Sequence, residues 1–261
     1  MLLPHMRLRK LWLERCWHDY PLYDPPHKRE ERLLPKNEAA QNFDYFMRVR
    51  RERDAYFRDW LRRYFGTMLT SDEKGMRQLN RWGNKYAGLL LPLASAGQPT
   101  YAYFTYSPPW TGENTGNNVL FDMGIALGET IIANCPNLRW DIDPISAILP
   151  RTAKDRKREV GTSFQRPMLA GFDNPAYCPM PLHDVYSFAR QMAENMTTVK
   201  GVISHYDRPR EIRNLVRDEL LNKFKGILRN YPSGDSYKLR KAMDPADYLK
   251  LVDAEVDNGD E

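Results

Sequence analysis

The stretch GNNVLFDMGIALGETIIANCPNLRW, residues 116–140, restricts what this chain can fold into more than any other. Residues 119–133 follow an apolar helical pattern, interrupted by Asp122 and Glu129 and by Gly124 and Gly128. A helix that is apolar around most of its circumference belongs in the interior, so this segment is expected as the central helix. Each glycine costs about 1 kcal/mol relative to alanine in a helix. Two of them four residues apart point to close approach by a neighbouring element, for which the Tyr-rich YAYFTYS segment is the candidate. Glu129, one residue past Gly128, would then sit at the rim of the contact, accepting hydrogen bonds from backbone amides or a tryptophan N–H.

Asp122 and Glu129 also raise the question of catalysis. Seven residues apart, they share a helical face about 10 Å from one another. That is too far for two carboxylates to share a proton or to flank a retaining glycosidic centre, and only marginally near the inverting arrangement. A catalytic role would need a partner from another element, so packing is the better explanation.

The flanking sequence supplies helices for this core. Residues 37–65 place Phe43, Phe46, Met47, Arg50, Phe57, Trp60, Leu61 and Tyr64 at three- and four-residue steps. A second amphipathic helix starts at TSDEKG, with Thr70 or Ser71 as its cap and Met76, Leu79, Trp82 or Gly83, Tyr86 and Leu90 along its seam. Together they predict an αα-hairpin. Alternation in YAYFTYS predicts a strand. Two short strands are expected at 138–142 and 145–149, and an edge strand within SFQRPMLAGF. Further helices are expected at 182–196, 208–230 and 244–256, the quoted helix itself starting after Asn117 or Asn118. The reading is an α+β fold: an N-terminal helical hairpin packed on a small mixed sheet, with central and C-terminal helices. Its parts are an irregular, proline-rich arm (1–36) with one short helical piece from Leu8 to Trp17, the hairpin (37–92), an α+β core (93–200), and C-terminal helices with an acidic tail (201–261).

Charge is unevenly distributed. The net charge is +5, yet residues 1–90 carry 19 Lys and Arg against 12 Asp and Glu. This basic first third implies an acidic partner surface or nucleic acid, or else long solvated helices rich in arginine. Three widely spaced cysteines with no CxxC support neither a disulfide framework nor a cysteine zinc site. Five histidines include no HxxxH pair, and no metal or cofactor is implied. Walker, dinucleotide and G-x-S-x-G patterns are missing, as are zinc-finger, RRM and helix-turn-helix signatures. Charges at Arg7, Arg9, Lys10, Glu14 and Arg15 break any secretory h-region, and no apolar run reaches the roughly 20 residues of a membrane span. The expected location is cytoplasmic, with no membrane association.

Two surfaces stand out as contact candidates. One is the loop PPWTGENTGNN before the central helix, where Trp110, Glu113, Asn114 and Asn117 would line a mouth with Tyr106 beneath. The other is the basic hairpin face bearing Arg50, Arg51 and Arg62. Cys178 and His183 could form a nucleophile pair only through the fold.

The order FDMGIALGETII…PNLRW resembles a signature of small bacterial domains in which a Leu-Gly-Glu helix is followed by a turn and a strand opening at tryptophan. The matching positions are Gly128, Glu129 and Trp140, and the resemblance covers residues 100–200. Some of these domains are immunity-type proteins that neutralise a toxin by binding it. Such immunity proteins against nucleases are commonly acidic, so the basic first third departs from that pattern. The resemblance implies a bacterial binding protein, immunity-like or accessory, whose partner is another protein. The alternatives are a nucleic-acid-associated protein using the basic N-terminal helices, and a hydrolase or transferase using Glu129 or Asp122.

Overall fold

The computed structural model describes residues 4–92, 102–142, 164–173, 177–196 and 218–231. The strand expected at 145–149, the helix at 244–256 and the first part of that at 208–230 lie outside the described residues. In chain order the elements are α1 (Pro4–Cys16), α2 (Lys36–Phe65), α3 (Glu73–Leu90), a one-turn α4 (Ala102–Thr105), α5 (Gly116–Asn134), β1 (Arg139–Ile142), β2 (Pro167–Ala170), α6 (Pro181–Met196) and α7 (Glu219–Asn230). This is an α+β fold that is mostly helical. The sheet is a two-stranded antiparallel pair, Arg139 opposite Ala170 and Ile142 opposite Pro167. Among the described residues it is therefore not mixed.

α5 is the central helix. From Gly116 to Gly128 every residue is buried, and α2, α3, α6 and α7 all pack on it. Around Phe121 gather Tyr23, at 4.1 Å between ring centroids, Trp110 at 5.5 Å and Phe46 at 6.1 Å. A second aromatic cluster joins α2 to α3, with Phe57, Trp60 and Phe65 all against Trp82. The two helices of the expected hairpin thus meet through large rings. Such rings bury enough area to dominate a contact.

Helix ends follow local chemistry, with two corrections. α2 stops where Gly66 adopts a left-handed φ of 61° and its N–H returns to the Arg62 carbonyl. α3 is capped by Asp72, whose carboxylate accepts the Gly75 N–H at 2.8 Å; Thr70 donates its hydroxyl to that carboxylate and Ser71 is not the cap. Asn117 and Asn118 lie inside α5, which begins at Gly116. Asn118 accepts the Tyr23 N–H at 2.7 Å and donates to the Trp110 carbonyl at 2.7 Å. It joins the N-terminal arm, the loop and the helix instead of capping.

The Tyr-rich segment is also corrected. Residues 102–105 form a helical turn, not a strand. Tyr103 is buried, stacked on Tyr186 at 4.6 Å and on Trp110 at 5.5 Å, and donates its hydroxyl to the Leu182 carbonyl. Packing of its rings, not pairing of its backbone, decides its conformation, as the context dependence of strand propensity allows.

The close approaches expected at the α5 glycines exist, with different neighbours. A Cβ on Gly124 would lie 2.8 Å from the Leu182 Cα at the start of α6, and one on Gly128 would lie 2.1 Å from the Trp140 ring. Gly128→Ala must therefore push Trp140 out of place, and a loss of about 1–3 kcal/mol is expected. Gly226, inside α7, has nothing within 4 Å of the same position, so Gly226→Ala should stabilise by up to about 1 kcal/mol. Urea denaturation of the two variants beside the parent chain should show these opposite signs.

Candidate functional site

The buried polar groups come first, because they decide which side chains remain available. Asp122 is completely buried; its carboxylate accepts from the Arg53 guanidinium at 2.6 Å and from the Tyr20 hydroxyl at 2.8 Å. Arg53 also donates to the Pro21 carbonyl and lies over the Tyr23 ring. Desolvation pushes the Asp122 carboxyl up to about 6, while Arg53 and the two hydrogen bonds work against it; the carboxylate in turn raises Arg53. Glu129 meets the reading made for it: one carboxylate oxygen accepts the Trp140 indole N–H at 2.8 Å and Arg50 at 3.1 Å. Arg50 is thus an internal fastener, not a free contact on the hairpin face.

A third cluster was not foreseen. Glu31, buried in a short turn of the arm, accepts from Arg166 at 3.3 Å and from the Tyr106 hydroxyl. Arg166 reaches Glu30 at 2.9 Å and lies over the Phe104 ring. The void beside them measures about 20 Å³, room for roughly one water. Glu31, Tyr106 and Arg166 therefore hold the arm against β2 without opening onto a substrate-sized cavity.

The two contact surfaces are redrawn. Trp110 is 1% exposed and Asn117 completely buried, both amide atoms of Asn117 lacking a hydrogen-bond partner among the described residues. They do not line a surface mouth, because the apolar surface of Trp110 is used in the Phe121 cluster. Of the four residues expected to line that mouth, only Glu113, exposed, and Asn114, half-buried, face outward. Arg51 and Arg62 are exposed on α2, Arg62 paired with Asp59.

The larger open features lie elsewhere. A groove of about 720 Å³ runs between α1, the end of α2 and α3. Along its α3 wall stand Lys74, Gln78, Arg81 and Lys85, spaced four, three and four residues apart and so on one helical face. The three cations are exposed, and none has an ion-pair partner among the described residues. Among the described residues no Asp or Glu lines the groove. Asp72 and Glu73, at the same end of α3, are already occupied, Asp72 by Gly75 and Thr70, Glu73 by Arg77 and Lys225. Trp12 and Tyr64 present exposed rings at the edge, while Trp82 and Tyr86 form part of the wall. None of the contact residues expected from the sequence lines this groove.

A second groove, of about 710 Å³, lies between α6 and α7 and brings Cys178 and His183 to one surface. Its charges are mixed: Lys223 pairs with Asp184 at 2.9 Å, Glu219 stands nearby, and burial lowers His183 below its ordinary value. Among the described residues no cluster of three His, Cys, Asp or Glu is placed to hold a metal ion, and no helix is long and apolar enough to cross a membrane. No family model, curated protein or solved structure matches the chain.

The Arg53–Asp122 pair has a measurable signature. The carboxyl takes up a proton more readily in the fold than at its ordinary 3.8, so its contribution to stability is complete below about pH 4 and is lost as pH rises through about 6. Arg53→Met leaves a buried carboxylate without its cation. It should cost about 3–5 kcal/mol at neutral pH, and the deficit should narrow on acidification as Asp122 protonates. Denaturant midpoints of parent and variant across pH 4–7 measure both effects.

Proposed function

We propose that this protein acts by binding an acidic macromolecule, with the α1–α3 groove as its working surface. One contrast carries the reading. Asp122, Glu129 and Glu31 are tied to arginines and ring donors inside the fold, whereas Lys74, Arg81 and Lys85 stand exposed in a groove that no carboxylate lines among the described residues. Unpaired cations focused in a cleft draw an oppositely charged partner and speed its encounter. The same contrast argues against the hydrolase or transferase alternative built on Glu129 or Asp122, since neither carboxylate lines a described groove.

An immunity-like or accessory role in a bacterium is a role of this kind, and the charge of the groove requires that a protein partner present an acidic face. The exposed rings of Trp12 and Tyr64 beside the cations favour the nucleic-acid alternative. In either case the contact surface moves from the α2 face and the 110–117 loop to α3.

The full-length protein and its Lys74→Glu/Arg81→Glu/Lys85→Glu variant, immobilised side by side, are exposed to native lysate, and the retained protein and nucleic acid are quantified. Retention is expected to fall by about tenfold or more in the variant, with circular dichroism unchanged, while Arg51→Glu, outside the groove, retains the parent's load. Equal retention by parent and triple variant, or none by either, overturns the proposal.

A further inference from the structure

We infer that the α1–α3 groove is a site for single-stranded nucleic acid, in which Lys74, Arg81 and Lys85 take successive phosphates while unpaired bases stack on Trp12 and Tyr64. This rests on the binding role proposed above and names the polymer. The first support is the periodicity of the α3 wall. Lys74 to Lys85 spans eleven residues of helix, about 16 Å, so the cations form a straight track whose length suits a few nucleotides and exceeds that of a single anion.

The second support is the placement of the rings. Trp12 is 45% exposed and Tyr64 41% exposed, and both line the groove. No other ring packs on Trp12 among the described residues, and Met68, 63% exposed, lies beside the two in the same lining. Tyr64 touches Trp60 at 6.0 Å between centroids and has the Arg63 guanidinium over its ring at 5.8 Å, so the more open platform is Trp12. Exposed rings next to cations are the pairing that single-strand binders use: backbone charge meets the basic track, and each base offers a flat face to an aromatic side chain. A duplex keeps its bases stacked on one another and would leave Trp12 and Tyr64 unused.

The third support is polar. Trp82 is only 4% exposed, and its indole N–H has no hydrogen-bond partner among the described residues; the buried side-chain oxygen of Gln78 is also unpartnered. Both residues line the groove. A buried donor and a buried acceptor left unsatisfied each carry a desolvation penalty; both atoms are sealed as they stand, so a ligand relieves it only by shifting these side chains, and nucleobases carry both donors and acceptors on their edges. An acidic peptide would match the cations, but its carboxylates offer acceptors only and no flat faces for the rings.

The test is fluorescence anisotropy with the full-length protein. The probes are a fluorescein-labelled oligothymidylate of about sixteen nucleotides, an RNA strand and a DNA duplex of the same length, and labelled polyglutamate. The single strands are expected to bind more tightly than the duplex. Their affinity should fall with salt at a slope of about −2 in log–log form, as three phosphate contacts require. Trp12→Ala and Tyr64→Ala should each weaken single-strand binding by about tenfold with little change in the salt slope. Lys74→Ala, Arg81→Ala and Lys85→Ala should each flatten the slope. These variants alter exposed side chains, and an unchanged thermal melt checks their folding.

Equal affinity for duplex and single strand, indifferent to Trp12 and Tyr64, overturns the inference. So does binding of polyglutamate without binding of any oligonucleotide, which would leave the acidic-partner role standing with a protein as its object. Failure of every probe, together with equal lysate retention by the parent and the triple-glutamate variant, removes both.

Discussion

A carboxylate and a guanidinium sealed away from water must satisfy each other, and in this protein Arg53 and Asp122 do so at the junction of three segments. Asp122 belongs to the central helix, Arg53 to α2, and the Tyr20 hydroxyl and Pro21 carbonyl to the N-terminal arm. At Asp122 desolvation outweighs the attraction of the cation, so the pair holds geometry more than it stabilises charge. Its hydrogen bonds have direction, whereas the surrounding Tyr20, Tyr23 and Phe121 rings could slide with little loss. The pair thereby sets where the arm crosses and how α2 rotates against α5.

The same logic recurs on both sides. Arg50 with Glu129 and Trp140 ties α2 to α5 and β1, and Arg166 with Glu30 and Glu31 ties the arm to β2. Basic residues that look like a solvated, partner-seeking surface in composition are therefore divided by the fold. Arg50, Arg53 and Arg58 of α2 turn inward or form local bonds. Lys74, Arg81 and Lys85 of α3 make no ion pair among the described residues, Lys74 feeling only the neighbouring Asp72. It is this division, and not the net charge, that gives the surface its chemistry.

Much of the internal architecture was legible along the chain. The burial of 119–128, the closeness of a neighbour at Gly124 and Gly128, and the tryptophan N–H on Glu129 all follow from residue types at helical spacing. Arg53 was legible too, and missed: positions 46, 50, 53, 57 and 60 form one unbroken four–three seam, and a seam that passes through two arginines asks for two carboxylates opposite. The track at 74, 78, 81 and 85 has the same spacing. The YAYFTYS segment misled because alternation over a few residues is shared by a strand and by a helical turn with large rings. Trp110 misled because glycine and asparagine neighbours mark a loop without saying which way its one large side chain turns.

Sequence alone determined where the long helices α2, α3 and α5 run and which helix must be enclosed, since periodicity and apolar content are local properties that burial only acts upon. It also determined that charged groups would meet the core, because Asp122 and Arg53 stand on apolar faces. Only the tertiary structure decided which charges cancel, because pairing joins residues such as Arg53 and Asp122, 69 positions apart. For the same reason the candidate site became visible only in three dimensions: a cation is available for binding when no opposite charge has been folded against it.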